Sequence, residues 1–242
     1  MRLSVAQVRS TAGDILANLA KHEEAVRRAV ELRADLVLFP ELSLTGYEPA
    51  LAQRLAVRAN DSRFDRLQTL SDANEIIICA GMPLAGDIGV EIAMFLFQPS
   101  SPRLTYSKQI LHADELPYFA CGDGQTLLRK GGHVLVPAIC YESMQPQHAE
   151  AAASLRADVY LASVAKSTAG VVKASRHYPL IARNHNMMVV MANCLGPSDT
   201  FIGAGCSAGW NSQGELVGQL DDQHEGVVVF DTDTQEMATA TW

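Results

Sequence analysis

The first forty residues constrain the fold most strongly, because they combine a strand, an amphipathic helix and a second strand. Residues 3–8 alternate as a half-buried strand does, and residues 35–39 form a short aliphatic run that a proline follows. Between them, residues 14–33 carry an apolar stripe near helical spacing, formed by Ile15, Leu19, Val26 and Val30. A strand, a helix and a strand within this length form a βαβ unit with parallel strands. The sequence therefore predicts an α/β fold.

The remainder of the chain continues with similar elements and contains no stretch that resembles a linker. We predict helices over residues 62–74, 147–156 and 173–186, and strands over residues 75–80, 91–98, 104–108, 159–163, 188–192, 203–210, 215–217 and 227–231. The second and third of these strands flank a turn and are expected to be antiparallel. Residues 109–130 lack periodicity, and a loop of that length is usually functional. One domain over residues 1–242 is predicted.

Composition excludes several classes of partner. The formal net charge is −8, so no basic surplus is available to displace the counterions of a nucleic acid. No apolar run approaches the roughly 20 residues that cross a bilayer, and the N terminus lacks the pattern of a signal peptide. The five cysteines include no Cys-x-x-Cys pair, and the histidines include no His-x-x-x-His pair. We expect a cytoplasmic protein with reduced thiols, no metal and no cofactor.

The stretch over residues 133–142 is the strongest candidate for a functional element. A run dominated by aliphatic residues follows Gly131 and Gly132 and ends at Cys140, which indicates a buried strand with a cysteine at its C-terminal end. Ligands bind at that edge of open α/β sheets. The alternative is that Cys140 is a small apolar core residue, the usual fate of a free cysteine.

Two further side chains could act together with this thiol. Glu41 follows the second predicted strand, and Lys108 ends the strand over residues 104–108. A carboxylate can take the proton of a thiol, and an ammonium group can stabilise the oxyanion that forms when the thiol attacks a carbonyl. The simpler interpretations are a solvated carboxylate for Glu41 and an edge lysine for Lys108. Spacing alone does not establish that the three meet.

The three candidate residues lie in three distinctive blocks of sequence: Phe-Pro-Glu-Leu-Ser-Leu-Thr-Gly-Tyr at residues 39–47, Tyr-Ser-Lys-Gln-Ile-Leu at residues 106–111, and Ala-Ile-Cys-Tyr-Glu at residues 138–142. In content, order and spacing these blocks resemble the signature blocks of the nitrilase (carbon–nitrogen hydrolase) superfamily. Segments near residues 5–7, 191–194 and 205–207 also resemble the family, so the resemblance spans nearly the whole chain. It implies a four-layer α-β-β-α sandwich, commonly assembled as a homodimer.

The resemblance also implies specific roles. Glu41 would be the general base, Lys108 the oxyanion-stabilising cation, and Cys140 the nucleophile that forms a thioester. The backbone N–H of Tyr141 would be the second oxyanion donor. Glu115 matches a second glutamate that many members carry in the loop after the lysine, where it would position lysine and substrate.

Other residues on the same loops are expected around the pocket or depart from the family pattern. His112 lies between the lysine and the second glutamate, and four aromatic residues on these loops are candidates to line the pocket: Tyr47, Tyr118, Phe119 and Phe201. Glu142 stands where the family more often has aspartate, and His185 where it often has glutamate. These departures concern substrate class and assembly and leave the catalytic set intact.

The sequence therefore predicts a hydrolase of non-peptide carbon–nitrogen bonds that acts on a small amide or carbamoyl compound. A tyrosine after the cysteine resembles amidase-like members more than nitrilases proper. Three alternatives remain: an acyltransferase that uses the same thioester, a non-catalytic member that binds a ligand, and the glutaminase half of a larger enzyme. The last ranks lowest, because no second domain that could use ammonia is found in these 242 residues.

Overall fold

The computed structural model describes residues 1–242 and contains fifteen strands and five α-helices. The strands are β1 (Arg2–Gln7), β2 (Leu36–Leu38), β3 (Ile77–Ala85), β4 (Val90–Phe97), β5 (Leu104–Ser107), β6 (Leu128–Lys130), β7 (His133–Ile139), β8 (Val159–Val164), β9 (Met188–Asn193), β10 (Leu195–Ser198), β11 (Phe201–Ala204), β12 (Ala208–Trp210), β13 (Leu216–Gln219), β14 (Gly226–Asp231) and β15 (Met237–Thr241). The helices are α1 (Ile15–Glu31), α2 (Ala52–Leu55), α3 (Asp65–Asn74), α4 (Pro146–Ser154) and α5 (Thr168–His185).

Two sheets contain most of the strands. The first has the order β15-β14-β1-β2-β3-β4-β5, and the second has the order β13-β12-β9-β8-β7-β6. Strands β1, β2 and β3 are parallel, as are β7, β8 and β9, and the outer strands of both sheets are antiparallel. Strands β10 and β11 form a separate hairpin. The predicted βαβ unit and the predicted antiparallel pair are both confirmed.

The sheets pack face to face with helices on their outer sides. Along β2, Leu36 and Leu38 lie in the core between the sheets, whereas Val37 packs in the core beneath α1 and α3. This alternation follows from the two-residue period of a strand. A third core joins the second sheet to α4 and α5. The expected four-layer α-β-β-α sandwich is therefore confirmed.

Several predicted boundaries are wrong. The predicted strand over residues 203–210 is two strands, because Gly205 and Cys206 have consecutive φ values of +59° and +57°, in the left-handed region rather than the extended one. Strand β15 went unpredicted because its side chains are mostly exposed and give only a weak apolar pattern. The predicted loop over residues 109–130 ends in the short strand β6.

Helix α5 begins at Thr168, five positions before the predicted start at residue 173. The prediction began too late because the first turn faces a cavity rather than a core and gives little apolar pattern in the sequence. None of the helices has the length and apolar character needed to cross a membrane.

Candidate active site

Glu41 lies in a tight turn directly after β2, and this turn is pressed against β3. A Cβ atom added to Gly81 of β3 would lie 2.3 Å from the Leu42 nitrogen and 2.6 Å from the Pro40 oxygen, so only glycine allows this approach. The N–H of Leu44 donates to the Gly81 carbonyl at 3.0 Å. The turn buries the Glu41 side chain almost completely.

Lys108 follows β5 and has no exposed surface. Its backbone N–H donates to the Ile92 carbonyl at 2.8 Å, and its carbonyl accepts from the Gly122 N–H at 2.8 Å. A Cβ atom on Gly122 would lie 2.4 Å from the Ser107 Cβ, so the chain again needs glycine for this contact. Both sides of the Lys108 backbone are therefore fixed.

The Lys108 ammonium group joins two buried carboxylates. Its Nζ lies 2.8 Å from Glu41 Oε1 and 2.6 Å from Glu115 Oε1. The Tyr47 hydroxyl donates to Glu115 Oε1 at 3.1 Å, and the His112 backbone N–H donates to Glu115 Oε2 at 2.7 Å. An ammonium group has three donors, so one remains for a ligand. The structure thus brings the two predicted glutamates and the predicted lysine together.

Cys140 lies at the turn after β7 in a left-handed conformation with φ +47°. Its N–H donates to the Ser163 carbonyl at 2.9 Å, and the Ser143 hydroxyl donates to its carbonyl at 2.6 Å. Sparsely populated backbone conformations persist where the surroundings determine them, and they concentrate at functional sites. The half-buried thiol lies 3.7 Å from the Ala165 carbonyl oxygen, and the Tyr141 N–H has no acceptor within the protein.

The electrostatics of the three groups favour a neutral thiol beside a carboxyl group that titrates near neutrality. Burial raises the pKa of Glu41 to about 7 against the opposing charge of Lys108, and the Cys140 thiol contributes a smaller lowering. Burial, aided by the charge of Glu41, also raises the pKa of Cys140 to about 12. For Lys108, the attraction of Glu41, Cys140 and Glu115 outweighs the effect of burial and raises its pKa. Glu41 Oε2 is buried without a hydrogen-bond partner and is available to accept a proton.

A cavity of about 440 Å³ opens onto the thiol. Six residues predicted for the site line it, namely Tyr47, His112, Glu115, Cys140, Tyr141 and Phe201. The rings of Tyr47 and Phe201 meet edge-on with centroids 5.8 Å apart, and those of His112 and Tyr141 with centroids 4.9 Å apart. Glu41 and Lys108 are buried beneath this lining.

Two of the aromatic residues expected near the cavity lie elsewhere. Tyr118 lines a separate surface groove, and Phe119 packs in the core between the sheets. Both follow Glu115, where the loop has already turned away from the cavity. Sequence reasoning also missed Lys166, which lines the cavity next to Ala165. The available signal was its place after β8, at the sheet edge that also carries Cys140.

Glu142 joins the segment that carries the lysine to the turn that carries the cysteine. Its Oε1 accepts from the Ile139 N–H at 2.7 Å and from the Tyr106 hydroxyl at 2.7 Å, and its Oε2 accepts from the Gln109 N–H at 2.7 Å. His148 Nε2 lies 2.9 Å from the same Tyr106 hydroxyl. Glu142 is completely buried and therefore positions both segments from beneath the cavity.

Replacing Glu142 by glutamine is expected to lower the free energy of unfolding by about 2–3 kcal/mol, since it would set an amide NH₂ against buried N–H or O–H donors. Urea unfolding measures the change. Glu150→Gln on the exposed face of α4 is the matched control and should stay within about 0.5 kcal/mol. A loss below about 0.5 kcal/mol for Glu142→Gln would contradict the role assigned to this carboxylate.

Comparison with known proteins agrees with this geometry. A family model described as carbon-nitrogen hydrolase matches residues 2–241, and the chain belongs to that family. Among solved structures, the chain is similar to the amidase from Nesterenkonia sp. AN1 in complex with butyramide, with 26% identity, a TM-score of 0.86, and coverage of 95% of this chain and 89% of that chain. Another structure of that amidase carries the acetamide moiety of fluoroacetamide covalently added at its active site cysteine, with the same identity and TM-score. The resemblance to amidases of the nitrilase superfamily is confirmed.

Curated relatives include two glutamine-dependent NAD(+) synthetases. The protein from Aquifex aeolicus is 24% identical over 245 residues, which are 98% of this chain and 43% of the relative. That from Thermotoga maritima is 26% identical over 246 residues, which are 98% of this chain and 42% of the relative. The chain therefore spans less than half the length of these relatives.

Proposed function

We propose that the chain hydrolyses the carbon–nitrogen bond of a small amide or carbamoyl compound through a thioester on Cys140. The observation that carries the proposal is the joining of Glu41, Lys108 and Glu115 beneath the thiol that faces the cavity. Ion pairs this deeply buried are costly unless they are fully bonded, and such groups concentrate at functional sites. Membership of the carbon-nitrogen hydrolase family and the amidase neighbours support the same reaction.

In the first half of the proposed mechanism, Glu41 takes the proton of the thiol while Sγ attacks the amide carbon. With its pKa raised to about 12, Cys140 is a neutral thiol at neutral pH and needs such a base. The carbonyl oxygen gains negative charge, and the Lys108 ammonium and the Tyr141 N–H stabilise it. Protonated Glu41 then gives its proton to the leaving nitrogen, the C–N bond breaks, and ammonia or an amine departs.

In the second half, water enters where the amine left. Glu41 takes a proton from the water, whose oxygen attacks the thioester carbon and forms a second oxyanion at the same donors. Collapse breaks the C–S bond, the sulfur recovers the proton from Glu41, and a carboxylic acid is released. Glu115 does not exchange protons in this scheme. It holds Lys108 beside the reacting oxygen.

The pH profile tests the assignment of Glu41. Its pKa is raised to about 7, and the base must be ionised, so kcat/KM should fall about tenfold per pH unit well below 7 and level off above it. Groups that face Glu41 are Lys108, Glu115 and Cys140. Steady-state rates between about pH 5 and 9 measure the profile, and circular dichroism confirms that the fold persists. A rate that is constant across this range would contradict the assignment.

The reaction itself is tested with a panel of small aliphatic amides and carbamoyl compounds, by assaying released ammonia and by intact-mass detection of an acyl adduct on Cys140. Added hydroxylamine distinguishes hydrolysis from acyl transfer, because a transferase converts more of the thioester to hydroxamate than to acid. No acylation of Cys140 and no ammonia release across the panel would favour a ligand-binding role and defeat the proposal.

Glutamine is a second candidate substrate, favoured by the similarity to the glutamine-dependent NAD(+) synthetases. Glutamate formation from glutamine by the isolated chain would establish it. An absence of glutamate, beside turnover of other amides, would exclude it.

A further inference from the structure

Lys166 is held rigidly at the wall of the cavity. Its backbone N–H donates to Asn193 Oδ1 at 2.8 Å, and its carbonyl accepts from Asn193 Nδ2 at 3.0 Å and from the Ala204 N–H at 3.0 Å. Its stem packs on the first turn of α5, where a Cβ on Gly170 would lie 3.0 Å from the Lys166 Cβ. The side chain therefore leaves the wall in a defined direction.

The ammonium group of Lys166 has no partner within the protein. The residue is only 9% exposed and lines the cavity, yet its Nζ makes no hydrogen bond and no ion pair. Lys108, by comparison, binds two carboxylates. A nearly buried charge without a partner is costly, and an ammonium group can only donate. A ligand with acceptor oxygens would satisfy it.

The N terminus of α5 adds to the positive character of this wall. The helix has eighteen residues, carries no acidic residue in its first turn, and receives no side-chain cap from Ser167. Both Ser167 and Gly170 line the cavity. The unpaired N–H groups and the dipole of a helix N terminus favour an anion, so they and Lys166 point to the same ligand charge.

No carboxylate is bonded to the Lys166 ammonium group. Burial lowers the pKa of Lys166, but the attraction of Cys140, Tyr178 and Glu41 outweighs it and raises the pKa, so the group is charged. Asp114 and Asp199 line the mouth and are exposed, and Asp114 is hydrogen-bonded to His112 Nδ1. Glu115 is already bonded to Lys108. Lys173 also lines the mouth and is exposed, where an ion pair contributes little.

We propose that Lys166, together with the first turn of α5, binds a carboxylate on the acyl part of the substrate, and that this chain prefers anionic amides. That these amides are hydrolysed rests on the proposed function, whereas the preference for binding an anion can be measured without turnover. A different role would be to stabilise the Cys140 sulfur, since the Lys166 charge lowers the pKa of Cys140 against the larger effect of burial. That role predicts no preference among substrates.

The test compares monoamides of malonic, succinic and glutaric acid with neutral amides in which an isopropyl group replaces the carboxylate. For the length that fits best, kcat/KM should favour the acid by about tenfold or more, as for a charged hydrogen bond. Lys166→Met keeps the stem and should remove most of this preference, mainly through KM. Lys166→Arg keeps the charge and should retain a larger part of it. Lys173→Met, which removes an exposed lysine at the mouth, should change the ratio less than about twofold.

Equal turnover of acid and neutral amides by the wild type would overturn the inference. An equal loss of kcat/KM for acid and neutral amides in Lys166→Met would also overturn it, because that result would mean that Lys166 stabilises the Cys140 sulfur. Loss of the preference in Lys173→Met but not in Lys166→Met would overturn it as well. Calorimetric binding of the same compounds to Cys140→Ala decides the matter if no amide is hydrolysed. If the acid binds more tightly than the neutral amide, and Lys166→Met abolishes this difference, the anion site is supported even though the proposed hydrolysis has failed. Equal affinity for the acid and the neutral amide would overturn the site.

Discussion

Replacing Cys140 by alanine is expected to lower amide turnover by at least about 10⁴-fold, because the variant has no atom that can form the thioester. The free energy of unfolding should change by no more than about 1 kcal/mol. The thiol is half-buried, packs at the margin of two cores and makes one long hydrogen-bond contact, 3.7 Å to the Ala165 carbonyl, and alanine preserves the backbone hydrogen bonds of the turn. Ammonia release from the amide that the wild type hydrolyses fastest, beside urea unfolding, measures both quantities.

Cys121→Ala is the matched control, since Cys121 is exposed and does not line the cavity. It should retain wild-type turnover. A haloacetamide should alkylate Cys140 in the wild type and in this control, with peptide mass spectrometry locating the adduct. Residual turnover in Cys140→Ala above about one hundredth of the wild type would show that another group attacks the substrate.

The sequence could predict that Glu41 and Cys140 lie at ligand-binding edges of sheets, because each follows the C-terminal end of a parallel strand. Glu41 follows β2 and Cys140 follows β7, and each strand lies inside its sheet and pairs in parallel with a neighbour. Periodicity identifies each strand but carries no information on which sheet lies opposite which. The pairing of the two sheets came only from the resemblance to the family. In the structure, the Ser163 hydroxyl joins them by donating to the Phe39 carbonyl at 2.8 Å.

Residues whose function depends on side-chain direction were harder to predict. Glu115 and Tyr118 lie on the same irregular loop, yet the first reaches Lys108 and the second faces another groove. The local sequence does not indicate which of the two side chains faces the site, because the loop has no hydrophobic periodicity. Lys166 was missed for a related reason. Lys166 stands out because its ammonium group has no hydrogen-bond or ion-pair partner in the protein, and this can be seen only in the three-dimensional structure.

Lys108→Met is expected to lower the free energy of unfolding by about 3–5 kcal/mol at neutral pH, because Glu41 and Glu115 would remain buried together without a cation. Turnover should fall by at least about 10²-fold with the loss of an oxyanion donor. Without the lowering effect of Lys108, the pKa of Glu41 should rise further above its ordinary value. The folded variant then keeps a proton that the folded wild type releases near pH 7, so the contribution of Glu41 to the destabilisation should be small well below pH 7 and grow as pH rises through 7.

The triple variant Glu41→Gln, Lys108→Met, Glu115→Gln separates stability from chemistry. It removes all three charges while nearly preserving volume, and replacing a whole buried ionic group is often neutral for folding. Its free energy of unfolding should therefore recover to within about 2 kcal/mol of the wild type, whereas its turnover stays undetectable. Urea unfolding of the wild type, Lys108→Met and the triple variant at several pH values provides the comparison. Should Lys108→Met unfold as the wild type does, or the triple variant remain as unstable as Lys108→Met, the buried charges would not be coupled as their 2.8 Å and 2.6 Å contacts indicate.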